Sequence, residues 1–156
     1  MTKGPQSATA ALLAIAALAG AGAAAAHGAA YSGTTRDGSR ITLKVAGGKA
    51  SAIKTIVPTS CVESSGSLQT VAGGELFQPP GSFALGRAGK ARALQPAAMN
   101  GGIRATKNYT VDVRRSGGKL TGTLRVNFSY LPPGVDLSHS YTFICSGSTK
   151  FSLKAR

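Results

Sequence analysis

From residue 118 to residue 130 the chain alternates without a break. Leu120, Gly122, Leu124, Val126, Phe128 and Tyr130 fall between Thr121, Thr123, Arg125, Asn127 and Ser129. A helix needs apolar residues every three or four positions. A period of two instead puts one face of a pleated strand into a core and the other into water. Just upstream, Tyr109, Val111 and Val113 alternate with Thr110, Asp112 and Arg114. Between the two runs lies Gly117-Gly118, a pair able to take the positive φ of a tight hairpin turn. With the tip there, Val113 meets Gly122, Val111 meets Leu124 and Tyr109 meets Val126. A slip of one residue would turn each of these side chains to the opposite face, so the register is strongly specified.

The same reasoning extends to other segments. Ile41, Leu43 and Val45 alternate between the turn signals Asp37-Gly38-Ser39 and Gly47-Gly48-Lys49. Three-residue loops at both turns would place Tyr31, Gly33 and Thr35 opposite Val45, Leu43 and Ile41. Leu43 would then also face Ile53, and Ile41 would face Thr55, which gives a three-stranded meander. Further strands are expected over 81–87, 140–146 and 149–155. In the last pair Tyr141, Phe143 and Cys145 share one face. Residues 131–138 form a Pro-marked connection, and residues 72–105, rich in Gly, Pro and Ala, read as a long irregular segment. Short one-sided strands with turn signals and no amphipathic helix point to an all-β fold, a small antiparallel sandwich with a barrel as the alternative.

The first thirty residues differ in kind. Lys3 precedes an uncharged run of Ala, Leu, Ile and Gly over 10–26, and Ala24-Ala25-Ala26 or Gly28-Ala29-Ala30 suits a peptidase that accepts small side chains. This is the pattern of a secretory signal peptide over 1–26, with cleavage as late as 30, and a single β domain over 27–156. The run is too short and too rich in Ala and Gly for a retained membrane span. Without a hydrophobic tail at 151–156, the mature protein is expected to be soluble and secreted, either free or held at the cell envelope.

Cys61 and Cys145 are the only cysteines, and an even count in an exported chain predicts a disulfide. They stand 84 positions apart. The expectation is a structural bridge from the loop after the third strand to the penultimate strand, with Cα atoms about 4.4–6.8 Å apart.

Charge narrows the partners. Eighteen Lys and Arg against five Asp and Glu give a formal charge of +13. Such a surplus favours anionic partners, although it also keeps an exported protein soluble. Arg87, Lys90, Arg92, Arg104 and Lys107 form the candidate anion-binding set, since no acid stands between Glu75 and Asp112. No aromatic residue interleaves with them from 87 to 107, which argues against base stacking and base-specific nucleic-acid binding. The sequons at Asn108 and Asn127 are short patterns that matter only in a eukaryotic secretory pathway. Metal sites need clustered carboxylates, His or thiolates, and none is evident. Glu63 and Glu75 are not paired for glycoside hydrolysis. Asp136 and His139 could be drawn into a triad only by ignoring geometry, and no nucleophile-elbow motif accompanies them. No cofactor is implied.

The opening Tyr-Ser-Gly-Thr-Thr-Arg-Asp-Gly-Ser-Arg-Ile over 31–41, the mid-chain Cys61 and the closing Cys-Ser-Gly-Ser-Thr-Lys-Phe-Ser-Leu-Lys-Ala-Arg over 145–156 resemble uncharacterised secreted β-rich proteins of high-GC Gram-positive bacteria. Those proteins carry a G-x-T-x-x-G-x-x-I opening and a late Cys-x-Gly before a final short strand. The resemblance covers both ends of the mature chain and implies a compartment and a fold class, with no activity to carry over. The function expected is a non-enzymatic binding or structural domain at the cell envelope, with an anionic polymer as partner. The alternative is a secreted inhibitor of a protease or hydrolase, presenting residues 72–105 as a rigid loop. A carrier of an apolar ligand is a third option, with few large core residues to line a cavity.

Overall fold

A computed structural model describes residues 28–63, 70–95, 105–130 and 143–154. These form nine strands: β1 (Ala29–Thr34), β2 (Arg40–Ala46), β3 (Lys49–Glu63), β4 (Thr70–Phe77), β5 (Ser82–Ala84), β6 (Gly89–Gln95), β7 (Ala105–Ser116), β8 (Lys119–Tyr130) and β9 (Phe143–Lys154). All pairings are antiparallel, and no helix occurs among the described residues. The expected signal peptide, residues 1–26, lies outside them, as do Asp136, His139 and the connection 131–138.

One hydrogen-bonded path runs β1-β2-β3-β9-β8-β7-β6, with β4 and β5 also pairing with β3. It curls on itself. Thr35 bridges Phe151, and the Arg36 amide donates to the Lys150 carbonyl. On the other side Leu85 donates to Gly48 and Gly86 donates to Val113, so the β5 segment ties the β2–β3 turn to β7. The strands thereby enclose one apolar core, to which Ile41, Ile53, Val57, Phe77, Leu124 and Val126 each contribute a fully buried side chain.

The β7–β8 hairpin has the expected register: Val113 pairs with Gly122, Val111 with Leu124 and Tyr109 with Val126. Gly117 and Gly118 form its tip at φ 54° and 76°. Gly122 has a further role, because a Cβ there would come within 2.5 Å of the Asp112 carbonyl and the Phe151 ring. The Phe151 ring lies over the bare backbone.

Several expectations need correction. First, Tyr31 pairs with Leu43 and Gly33 with Ile41, two residues from the register that a three-residue loop requires. The loop is longer, and its residues are held by Thr35 and Ser39, whose backbones hydrogen-bond across it. Inward residues still meet inward residues, because a shift of two preserves the face. Second, the β2–β3 turn uses only Gly47-Gly48, with Ala46 opposite Lys49. A bulge then adds one residue at Ala52, the only non-glycine at positive φ (48°) among the described residues, and Thr42 faces Lys54 beyond it. Third, 140–146 and 149–155 are not two strands: β9 runs unbroken through Gly147. A Cβ at Gly147 would sit 2.4 Å from the Pro58 carbonyl, so this glycine marks close approach of β9 to β3 rather than a turn. Fourth, the stretch from 72 to 95 is mostly strand, since β4, β5 and β6 occupy it. Its inward positions hold Gly73, Glu75, Ala91 and Ala93 among larger residues, which hides the alternation.

Cys61 and Cys145 are bonded, with sulfurs 2.05 Å and Cα atoms 4.0 Å apart. Cys61 lies within β3, not in a loop after it, and stands directly opposite Cys145 in the ladder. Direct opposition across an antiparallel pair explains why the Cα atoms come slightly closer than the range expected from sequence.

Candidate functional site

The outward face of the sheet is the most distinctive surface. Parity sends Lys90 and Arg92 of β6, Asn108 and Thr110 of β7, Arg125 and Asn127 of β8, and Ser146 and Ser148 of β9 to the same side. The registers line them up in two rows. One reads Arg92, Asn108, Asn127, Ser146 and Ser60 across β6, β7, β8, β9 and β3. The next reads Lys90, Thr110, Arg125 and Ser148. Two open grooves lie in these rows. Lys90, Arg92, Asn108 and Thr110 line one, and Arg125, Ser60, Ser146 and Ser148, with Pro58, line the other.

Among the described residues, three of the four acids are already engaged. Glu75 turns inward and binds Lys107. Asp37 accepts a hydrogen bond from the Thr149 hydroxyl. Asp112 accepts from Arg114 at 3.2 and 3.3 Å, which holds that guanidinium still more firmly in its charged form. Lys90, Arg92 and Arg125 have no carboxylate partner among the described residues. Arg125 has no charged residue directly opposite on either neighbouring strand, since it faces Thr110 and Ser148.

The predicted anion-binding residues are thus divided. Lys90 and Arg92 share the outward face, and Arg87 is exposed in the turn between β5 and β6. Arg104 lies outside the described residues. Lys107 is a correction: it is only 4% exposed, points into the curled sheet, pairs with Glu75 and lies 5.5 Å from the centre of the Phe128 ring. An inward position next to Tyr109 in the alternation would have shown this, since 107, 109, 111 and 113 share one parity. Arg125 lies beyond Asp112, outside the acid-free stretch that marks the predicted set. Its signal was present in the outward half of the alternation over 118–130, but its kinship with Lys90 and Arg92 appears only once β6 is recognised as a strand.

Inside, near the disulfide, a second polar group collects. Phe77 and Tyr109 meet edge to face at 5.1 Å, and the Tyr109 hydroxyl is buried without a hydrogen-bond partner among the described residues. Burial, and then the negative charge of Glu75, raise the Tyr109 pKa above its ordinary value. Among the described residues no cluster of three His, Cys, Asp or Glu converges as metal ligands would, and no helix is long and apolar enough to cross a membrane. Compared with protein-family models, characterised proteins and solved structures, the chain gives no match.

Proposed function

We propose that the protein is a secreted, non-enzymatic binding domain of the cell envelope, and that it engages an anionic polymer through the outward face of its sheet. The observation that carries this reading is the trio Lys90, Arg92 and Arg125, held on one face without carboxylate partners among the described residues and surrounded by hydroxyl and amide side chains. Unpaired cations on a rigid sheet attract a polyanion without first breaking an internal ion pair. The disulfide serves this role structurally, by fixing β3 against β9 beneath the face. In the same reading the two halves of the curled sheet pack as the layers of a small sandwich.

The inhibitor alternative rested on a long projecting loop. Residues 72–95 belong largely to β4, β5 and β6, so that alternative loses most of its loop. The test is retention of the purified protein on immobilised anionic wall polymer. Retention should be strong at low ionic strength and should fall as salt screens the contacts. Absence of retention at low salt, or indifference to salt, would overturn the reading.

A further inference from the structure

We infer that the groove around Arg125 is a subsite for one phosphodiester group of a polyol phosphate chain, with Lys90 holding a neighbouring repeat. This rests on the polyanion reading above and narrows it to a ligand class.

The chemistry of the groove favours that class. Arg125 presents a planar fork that can take two oxygens of one oxyanion at once. Around it stand Ser60, Ser146 and Ser148, and Asn127 lies one outward position further along β8. A simple carboxylate, such as that of polyglutamate, offers the fork two oxygens and brings no neighbouring hydroxyls for the serines to engage. A phosphodiester between polyol units adds ester oxygens and free hydroxyls, and serine and asparagine side chains both donate to and accept from such groups.

Spacing is the second support. Lys90 and Arg125 lie in one row, two strands apart. At about 4.8 Å per strand their backbones are roughly 10 Å apart, and Lys150, the next outward residue of β9 beyond Ser148, extends the line diagonally. Cations set at intervals along a line suit a chain with one charge per repeat. Nucleic acid also has such a backbone, but the outward rows contain no aromatic side chain on which bases could stack.

The experiment measures binding of the purified protein to soluble poly(glycerol phosphate) at fixed ionic strength, beside poly-L-glutamate of equal charge, a single-stranded oligonucleotide and phosphatidylglycerol vesicles. The phosphate polymer should bind at least tenfold more tightly than the other soluble polymers. Arg125→Ala should weaken its binding about tenfold and Arg125→Lys should restore only part, since an ammonium cannot form the fork. Lys119→Ala removes the same charge from β8 roughly 20 Å away and should weaken binding less than twofold. Circular dichroism should show all three variants folded, because Arg125 and Lys119 are exposed. Equal losses for Arg125→Ala and Lys119→Ala would overturn the subsite while leaving the polyanion reading intact. Equal or tighter binding of polyglutamate or oligonucleotide would overturn the polyol phosphate assignment. Binding to vesicles but not to soluble polymer would replace it with a lipid headgroup, and failure to bind any polyanion at low salt would sink the underlying reading.

Discussion

The two ends of the curled sheet are held together by different forces. Toward the tips of the tight turns the interior is hydrocarbon: Val111, Val113, Leu120, Leu124 and Leu153 are fully buried. Two-residue glycine turns close the strands there, and bare Gly122 lets the Phe151 ring settle on the sheet. Toward the other end, inward positions are taken by Lys107, Glu75, Thr59, Cys61 and Cys145, while β4 and β6 offer Gly73, Ala91 and Ala93. Small side chains remove little apolar area from water, and stabilisation scales with that area at about 25 cal/mol per Å². The disulfide end substitutes a covalent link and an ion pair for the missing hydrocarbon. One sheet therefore combines a packed end with a cross-linked one.

The strongest way to test this contrast is to remove the covalent link. A bridge closing a loop of 84 positions is worth about 4–5 kcal/mol in the chain-entropy picture, a large part of the stability of a domain this size. Cys61→Ala with Cys145→Ala should lower the melting temperature substantially. Hydrogen exchange should quicken first at 59–63 and 143–147, with the amides of 111–113 and 120–124 still protected. Binding to any polyanion should survive at low temperature, because the bridge is structural. Uniform loss of protection would show that the two ends form one cooperative unit.

The ion pair comes next in size. Lys107 and Glu75 have side chains 5% and 23% exposed, so Glu75→Ala takes a carboxylate away from a buried ammonium. A cost of about 3 kcal/mol is expected, the low end for breaking a buried pair because Glu75 keeps some contact with water. The double variant Glu75→Leu with Lys107→Met should recover most of it in denaturant titration. If the double variant is as unstable as Glu75→Ala, this end depends on the ions for shape, and hydrocarbon cannot replace them.

This contrast also explains which parts of the molecule were legible in the sequence. Where the interior is hydrocarbon, the alternation is complete, and the β7–β8 register follows from the residues alone. Where inward positions are Gly, Ala or charged, as in β4 and β6, periodicity disappears and the strands look like an irregular segment. Pro58 and Gly147 each resemble a strand break, yet both lie inside strands. Pro58 lies one residue beyond the last β3–β9 rung, at Thr59 and Gly147, where a missing N–H matters least. The disulfide was legible because two cysteines, an even count in a chain read as exported, have only each other to bond. The outward face was only half legible: the parity of Arg125 was in plain view, but its partners Lys90 and Arg92 belonged to a strand that the pattern did not reveal.

The smallest expected effect belongs to Tyr109, which sits where the two ends meet. Its ring packs edge to face on Phe77, and its buried hydroxyl has no hydrogen-bond partner among the described residues. Tyr109→Phe keeps the ring contact and deletes only that hydroxyl. At neutral pH the change should be within about 1 kcal/mol and toward greater stability, because removing an unsatisfied buried group relieves its desolvation cost. The alkaline response should differ more clearly. Burial first, and then Glu75, raise the Tyr109 pKa in the folded state, so the unfolded chain releases this proton at lower pH than the folded one. The favourable contribution is fully present below about pH 10, the ordinary tyrosine value. Above it the unfolded state binds fewer protons, so stability must fall as pH rises toward the folded pKa. Comparing urea midpoints of the parent and Tyr109→Phe from pH 8 to 11 isolates this residue from the other three tyrosines, and the variant should lose stability less steeply. A neutral-pH loss above about 1.5 kcal/mol, the cost of a hydrogen bond that was being made, would mean that the hydroxyl is partnered in solution. The polar end would then be a satisfied network rather than a compromise, and the contrast between the two ends would have to be redrawn.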